Sequence, residues 1–395
     1  MKNNLVQQNI PSGWQSTSVD DICYVMKGQG LSKKDIDPSG KNKCILYGEL
    51  FTTYDEVIKD VKSRTDSTVG TPSVSGDVLI PGSTTTVARD LAIASALNED
   101  GVLLGGDINI LRRKDSFYDA NFLAYYLTHY KKDEIGKLGQ GTTIVHLYGS
   151  NIKALEVILP KNIREQQKIA EVLGTVDEDI AKTQEVIEAT EKLKRGLMQD
   201  IFSFKNKKDV KYLALGNIGK VSMCKRVFKE ETSNTGEIPF YKIGTFGKEP
   251  DAFISQKLFD SYRRKFSFPK IGDILLSASG TIGRKVKYDG KPAYFQDSNI
   301  IWLEHDGSKI LNDFLFYLYD TIKWQTEGST IKRLYNDILL KKVVPVPSID
   351  QQKRIVEVLS VIDEKISVNK KLKEKLTLLK RGLMQDLLSG KKRII

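Results

Sequence analysis

KLKRGLMQDIFS at residues 192–203 returns as LLKRGLMQDLLS at residues 378–389, an offset of 186. The same offset carries back to Asp177-Glu178 and Asp363-Glu364, and to Val172-Leu173 and Val358-Leu359. Each copy closes a long stretch with helical apolar spacing, and each follows a region of similar length and much lower similarity. Two near-constant helices behind two divergent regions are an internal duplication, and the rest of the chain is read against it.

In the second copy Ile355, Leu359, Ile362, Ile366, Asn369, Leu372, Leu376, Leu379, Leu383 and Leu387 recur at three- and four-residue steps, close to a heptad seam. In the first, Ile169, Leu173, Val176, Ile180, Thr183, Ile187, Thr190, Leu197 and Ile201 follow a similar line. Each helix is apolar on one stripe only and needs a partner. If the ends of the intervening region lie close together, as domain termini often do, the two helices pair antiparallel. Thr183 then faces Asn369, either as a polar layer that fixes register or as two solvated side chains. The centre of the seam is Ile180, Thr183, Ile187, Ile366, Asn369 and Leu372. Asp350 is a candidate cap of the second helix, Pro347 cannot continue it backwards, and Gly390 is a candidate stop.

The regions ahead of the helices share an order of features. Short apolar runs bounded by Gly, Pro and Asp read as strands: Cys44–Tyr47, Gly76–Ile80, Gly101–Leu104 and Leu155–Leu159. Phe122, Leu123, Tyr126 and Leu127 have helical spacing. Val19, Ile22 and Val25 match Leu215, Ile218 and Val221; Gly76-Asp77-Val78-Leu79 matches Gly272-Asp273-Ile274-Leu275; Phe122–Leu127 matches Phe314–Tyr319. The loops between them differ, which predicts one fold carrying two unlike surfaces.

A chain of 395 residues exceeds one ordinary core, so at least two domains are expected. The opening MKNNLVQQNI lacks the apolar segment of a signal peptide, and no apolar run approaches the ~18 residues of a membrane span. A soluble, cytoplasmic protein is expected. Cys23, Cys44 and Cys224 have no disulfide or zinc spacing and read as small buried side chains. The net charge of +11 is uneven: −2 over 1–160, +1 over 161–211, and +6 over each of 212–349 and 350–395. A basic excess favours a polyanionic partner. No methyltransferase [ND]PP[FYW] string, phosphate-binding GxxxxGK[ST] or complete GxGxxG is present, and His129, His146 and His305 lie far apart. With no catalytic constellation, the chain reads as a binding protein.

The order of variable region, helix with QQKIAEVL and KRGLMQDIFS, variable region, helix with QQKRIVEVL and KRGLMQDLLSG resembles the specificity subunit of type I restriction–modification systems over essentially the whole chain. SGTIG at Ser279–Gly283 fits the second recognition domain, whereas the first has Pro81-Gly82-Ser83-Thr84-Thr85-Thr86 there. The resemblance implies an α+β fold. Two similar mixed α/β DNA-recognition domains, at 1–160 and 206–349, would be separated by two long antiparallel coiled-coil-like helices, at 161–205 and 350–395, with pseudo-two-fold internal symmetry. Each domain would read one half of a bipartite, asymmetric target in double-stranded DNA. The helices would set the gap and dock two modification (methyltransferase) subunits, with restriction (translocase/nuclease) subunits in the full complex. The chain itself would be catalytically silent and bind no cofactor. S-adenosylmethionine, ATP and Mg would belong to the partners. A different class, a coiled-coil scaffold carrying two ligand-binding domains, would show the same seam.

Base reading needs groove-edge donors and acceptors, whereas phosphate contacts need positive charge and small hydroxyls. On that ground the first region offers Lys27, Gln29, Ser83, Thr84, Thr85, Arg89, Gln140, Thr142 and Thr143. The second offers Lys225, Arg226, Ser279, Thr281, Arg284, Lys285, Thr330, Lys332 and Arg333. In the repeated motif, Lys194-Arg195 and Lys380-Arg381 are expected to stand free for a partner or for DNA phosphate.

Overall fold

The computed structural model describes residues 10–115, 117–204, 210–324 and 333–394. It divides into two compact units: Met1–Glu185 with Lys370–Ile395, and Val186–Asn369. The boundary falls inside both long helices, Ile163–Ser203 and Ile349–Leu387, so each unit contains part of each helix. Among the described residues no helix is long and apolar enough to cross a membrane.

In the first unit Trp14–Ser18 pairs antiparallel with Glu156–Pro160, bringing the two ends of the variable region together. A five-stranded sheet follows in the order Cys23–Lys27, Ile108–Arg113, Asp77–Pro81, Ser95–Leu97, Val57–Ile58. The first of these strands is only partly buried, but Asp77–Pro81 is buried throughout, as a central strand covered on both faces must be. The helix Ala120–Tyr125, continued by a π turn Tyr126–Tyr130, lays Phe122, Leu123 and Tyr126 into the main core. Each such side chain contributes roughly 1.5–3 kcal/mol by leaving water. Ile169 and Leu173 of the first long helix and Leu387 of the second join the same core.

The second unit repeats this frame. Lys211–Ala214 pairs antiparallel with Val343–Val346. A four-stranded sheet runs Lys220–Ser222, Ile300–Glu304, Ile274–Ser277, Lys285–Lys287, and the helix Asn312–Thr321 buries Phe314, Leu315 and Leu318. The divergence sits in the inserts. The first unit carries a second, four-stranded sheet centred on Asn42–Ile45 and Leu103–Leu104. The second instead has the three-stranded sheet around Ile238–Tyr241 and the amphipathic helix Gln256–Lys265. All three cysteines are buried and free, and burial pushes the Cys224 thiol up to about 12.

Both long helices start on polar caps. Asn162 Oδ1 accepts from Arg164 N at 3.0 Å. For the second helix the cap is Ser348, not Asp350: Gln351 N donates to Ser348 Oγ at 3.3 Å and Ser348 N to Gln351 Oε1 at 3.1 Å. The reciprocal pair satisfies two backbone donors; Asp350, two residues later, already lies inside the helix. The helix ends at Leu387, and Gly390 follows with φ of 70°.

Within each unit the helix segments run antiparallel. In the first, Asp177 meets Lys380 at 2.6 Å, Gln184 meets Lys373 at 2.9 Å and Glu165 meets Arg393 at 2.7 Å. In the second, Lys194 meets Asp363 at 2.6 Å. Ile187 and Ile366 are buried and Ile180 is half-buried. The seam of the second helix departs from its apolar reading past Ile366. Lys373, Leu376, Lys380 and Leu383 are half-buried, whereas Leu372 and Leu379 are 44% and 51% exposed. A lysine stem is aliphatic and can take a seam position when its ammonium finds an anion; a hydrophobicity pattern cannot register that. Thr183 and Asn369 each serve their own helix, Thr183 Oγ1 donating to Asp179 O at 2.6 Å and Asn369 Nδ2 to Lys365 O at 2.8 Å.

Candidate functional site

Each unit fastens its variable part to its helices with the same two devices. The first is a buried glutamine. Gln166 Oε1 accepts from Asp119 N at 2.8 Å, while its Nε2 donates to Pro160 O at 2.8 Å. Gln352, its counterpart in the repeat, accepts from Leu311 N at 2.8 Å and donates to Lys309 O and Pro347 O at 2.8 and 2.9 Å. Both are fully buried, so every bond they make replaces water that cannot reach.

The second device is a tyrosine, an aspartate and a lysine. Tyr125 donates to Asp177 Oδ2 at 2.6 Å, and Lys380 approaches Asp177 Oδ1 and lies over the Tyr125 ring, 5.6 Å from its centre. Tyr317 donates to Asp363 Oδ2 at 2.9 Å, and Lys194 approaches Asp363 Oδ1 and lies 5.4 Å from the Tyr317 ring centre. Burial pushes both phenols up, and the adjacent carboxylates push them further. The lysines expected to stand free are therefore turned inward. Arg195 and Arg381 remain exposed.

Lys380 also reaches Glu56 at 3.6 Å, and Glu56 is bonded to His129. Burial raises the Glu56 carboxyl, but His129 and the Lys380 charge outweigh it and hold the group at about 2.

Sequence-predicted contact residues gather at one rim in the first unit. Ser83-Thr84 pairs antiparallel with Val145-His146, and Gln140 bridges to His146. Ser83 Oγ donates to Asp107 Oδ2 at 2.6 Å, and Lys27 Nζ lies 3.8 Å from Asp107 Oδ1. Ser83 and Thr84 are buried; Lys27, Gln29, Thr85, Gln140, Thr142 and Thr143 are exposed. Arg89 is exposed and paired to Asp133 at 2.7 Å. Gly82 admits no side chain, because a Cβ there would sit 2.8 Å from Asp107 O.

The second unit builds a matching rim. Ser279 bridges to Arg333, and its Oγ donates to Asn299 Oδ1 at 2.7 Å; Arg333 Nη2 donates to the same oxygen at 3.1 Å. Arg226 is exposed and meets Asp297 at 2.9 Å, Lys225 is exposed with its Nζ 5.3 Å from the Phe266 ring centre, and Thr281 is exposed. Arg284 is drawn to Phe246 O at 2.9 Å. Lys285 is not a surface cation: its side chain is 9% exposed, pairs with Asp320 and sits 4.1 Å from the Phe316 ring centre. Burial lowers its ammonium pKa, against the pull of Asp320. The alternation of Lys285–Lys287 turns it to the helix Asn312–Thr321, where a charge run gives no hint of an inward partner. Thr330 and Lys332 lie outside the described residues.

Sequence reasoning missed Asp107, Asn299 and His146. The available signal was positional: Asp107 precedes Ile108–Arg113 as Asn299 precedes Ile300–Glu304. It missed an apolar helix face too. Val186 and Leu193 are 39% and 55% exposed, and Leu372 and Leu379 hold the same places in the second copy of the repeat. Among the described residues no cluster of His, Cys, Asp and Glu is suited to a metal ion.

Comparison with known proteins gives a consistent picture. The family model for the type I restriction modification DNA specificity domain matches residues 11–191 and again 207–378. A Haemophilus influenzae chain named as a putative type I restriction enzyme specificity subunit is 55% identical over 150 residues, 38% of this chain and 39% of that one. The MjaVIII specificity subunit of Methanocaldococcus jannaschii is 27% identical over 331 residues, 75% and 76% of the two chains. The crystal structure of the type I S subunit from M. genitalium superposes with a TM-score of 0.65 at 22% identity, covering 98% of this chain and 99% of that one. A chain from a structural study of assembly and conformational transition in the type I R-M system superposes at 0.57 with 16% identity, covering 96% and 98%.

Proposed function

Since the chain belongs to the type I restriction modification DNA specificity family, we propose that its two units read the two halves of a bipartite, asymmetric double-stranded DNA target. The carrying observation is a common frame with unlike rims. Both units place a serine after a central strand against the residue just before the neighbouring strand of the sheet, yet one rim presents Ser83, Asp107 and Lys27 and the other Ser279, Asn299 and Arg333. Exposed cations at each rim supply phosphate attraction, and hydroxyls and amides supply groove-edge partners.

The repeated helix face is the second part of the proposal. Val186 and Leu193 in one copy, and Leu372 and Leu379 in the other, offer two equivalent apolar patches, while the exposed Arg195 and Arg381, two residues further on, project from the other side of their helices. Two modification subunits would dock there, one per copy. The inward Lys194 and Lys380 would hold the units' own architecture instead. Methyl transfer with S-adenosylmethionine, and ATP- and Mg-dependent translocation and cleavage, would belong to partner subunits. The helices, which run from one unit into the other, would set the gap between half-sites.

Methylome sequencing of a host carrying the complete system tests the reading. An adenine-methylated motif of two unlike halves with a fixed gap is the expected result. A single undivided motif, or methyl transfer by the purified chain alone, would count decisively against it.

A further inference from the structure

The two rims are built on the same plan but end in opposite hydrogen-bond polarity. Each serine hydroxyl, of Ser83 and of Ser279, reaches the residue immediately before the partner strand, Asp107 at 2.6 Å and Asn299 at 2.7 Å. The pairing of Ile108 with Pro81, and of Ile300 with Ser277, puts the two residues at the same register.

Asp107 has φ of 61°, a conformation that carboxylate and amide side chains tolerate better than most. Its side chain is 35% exposed. Oδ2 accepts the hydrogen bond from the Ser83 hydroxyl, and the nearest cation to Oδ1 among the described residues, Lys27, stands 3.8 Å away and is itself 51% exposed. This position therefore has acceptor capacity to spare and no donor.

Asn299 is the reverse. Arginine has no acceptor, so the atom that Arg333 Nη2 meets at 3.1 Å must be the amide oxygen. Ser279 donates to that same oxygen. Both lone pairs are then in use, while Nδ2 donates to none of the described residues and the side chain is half-buried at the rim. What this position has to spare is a donor.

Building on the two-half-site reading above, we propose that Asp107 and Asn299 are matched specificity-determining positions. Asp107 offers an acceptor to a base-edge donor, such as an exocyclic amine of cytosine or adenine. Asn299 offers a donor to a base-edge acceptor, such as a purine N7 or a carbonyl oxygen of guanine or thymine. The serines act as positioning residues, holding each group at the strand mouth.

The test uses Asp107→Asn and Asn299→Asp in the complete complex with its modification subunits. Bound duplexes are selected from a pool randomised across the half-sites, so a variant that binds but cannot methylate is still read. Asp107→Asn should lower enrichment of the wild-type base at a position in one half-site about tenfold, the weight of one such contact, with the other half-site and the gap unchanged. Asn299→Asp should do the same in the opposite half. Recovery of the wild-type sequence by both variants would overturn the assignment. So would failure to fold or assemble, because exchanges that keep side-chain size would then mark the pair as part of the fold. If the wild-type complex itself selects no two-part sequence, it is the two-half-site reading that fails.

Discussion

Lys380 Nζ lies 2.6 Å from Asp177 Oδ1, joining the last turns of the second long helix to the first half of the other. Lys194 and Asp363 repeat the relationship at 2.6 Å in the second unit. Each lysine belongs to a KRGLMQD motif and each aspartate to the Asp-Glu pair of the opposite helix, so the most similar stretches of the repeat hold each other.

Removing the charge tests that role. Lys380→Met should destabilise the first unit by about 1–3 kcal/mol, since Asp177 is left partly buried beside Tyr125 without its cation. A double-mutant cycle with Asp177→Asn in chemical denaturation should give a coupling of about 1 kcal/mol or more. Additive losses would mean the contact is incidental.

The buried glutamines should be more sensitive. Gln166→Leu leaves Asp119 N and Pro160 O without a partner in a dry site, and Gln352→Leu does the same to Leu311 N and Pro347 O. A loss of about 2–4 kcal/mol is expected for each, read as a lower thermal midpoint. An unchanged midpoint would show that the site relaxes to admit water.

Glu56 gives a pH signature. Its carboxyl is held at about 2 in the folded chain, below its ordinary value of 4.5. A depressed carboxylate contributes stability that is complete above 4.5 and is lost as pH falls toward 2. The full contribution is roughly 3 kcal/mol. Relative to wild type, Glu56→Gln should therefore be less stable at neutral pH and close the gap between pH 4.5 and 2. Parallel pH–stability curves for the two proteins would refute the assignment.

The docking proposal separates assembly from folding. Leu193→Glu and Leu379→Glu change side chains that are 55% and 51% exposed, so stability should move by no more than about 0.5 kcal/mol. Each should cost one modification subunit, and the double variant both, as read by native mass measurement of the assembled complex. Retention of two subunits by the double variant would remove this face from consideration.

A helix insertion probes the gap. Seven residues added after Glu185 and seven after Asn369 keep the heptad phase and lengthen each helix by ~10 Å. The gap in the methylated motif should grow by about three base pairs, at 3.4 Å per base pair, while both half-sites stay the same. Altered half-site bases with an unchanged gap would speak against helices as spacers.

The Phe122–Leu127 and Phe314–Tyr319 spacings, the buried Asp77–Pro81 strand and the long helices were legible because each is an apolar run or a periodic pattern within one element. The rims were partly legible: Ser83, Gln140, Ser279 and Arg333 could be picked out as loop polar residues. Asp107 and Asn299 were not, because their shared place ahead of a strand was the one signal they gave, and they meet their serines only through strand register. The inward turn of Lys285 was not legible for a related reason, since the aspartate and aromatic ring that draw it in lie on a separate element, the helix Asn312–Thr321.

The repeated KRGLMQD stretch by itself established the duplication, because near-identity at a fixed offset needs no knowledge of contacts; the two helices came from the apolar spacing ahead of it, and the family from the order of regions along the whole chain. Which of its basic residues faces inward was decided only by tertiary structure. Lys194 and Lys380 turn in, while Arg195 and Arg381 stay exposed. One residue along a helix is a rotation of about 100°, and which side chain meets a carboxylate depends on where the antiparallel partner lies, information that neither copy of the motif contains.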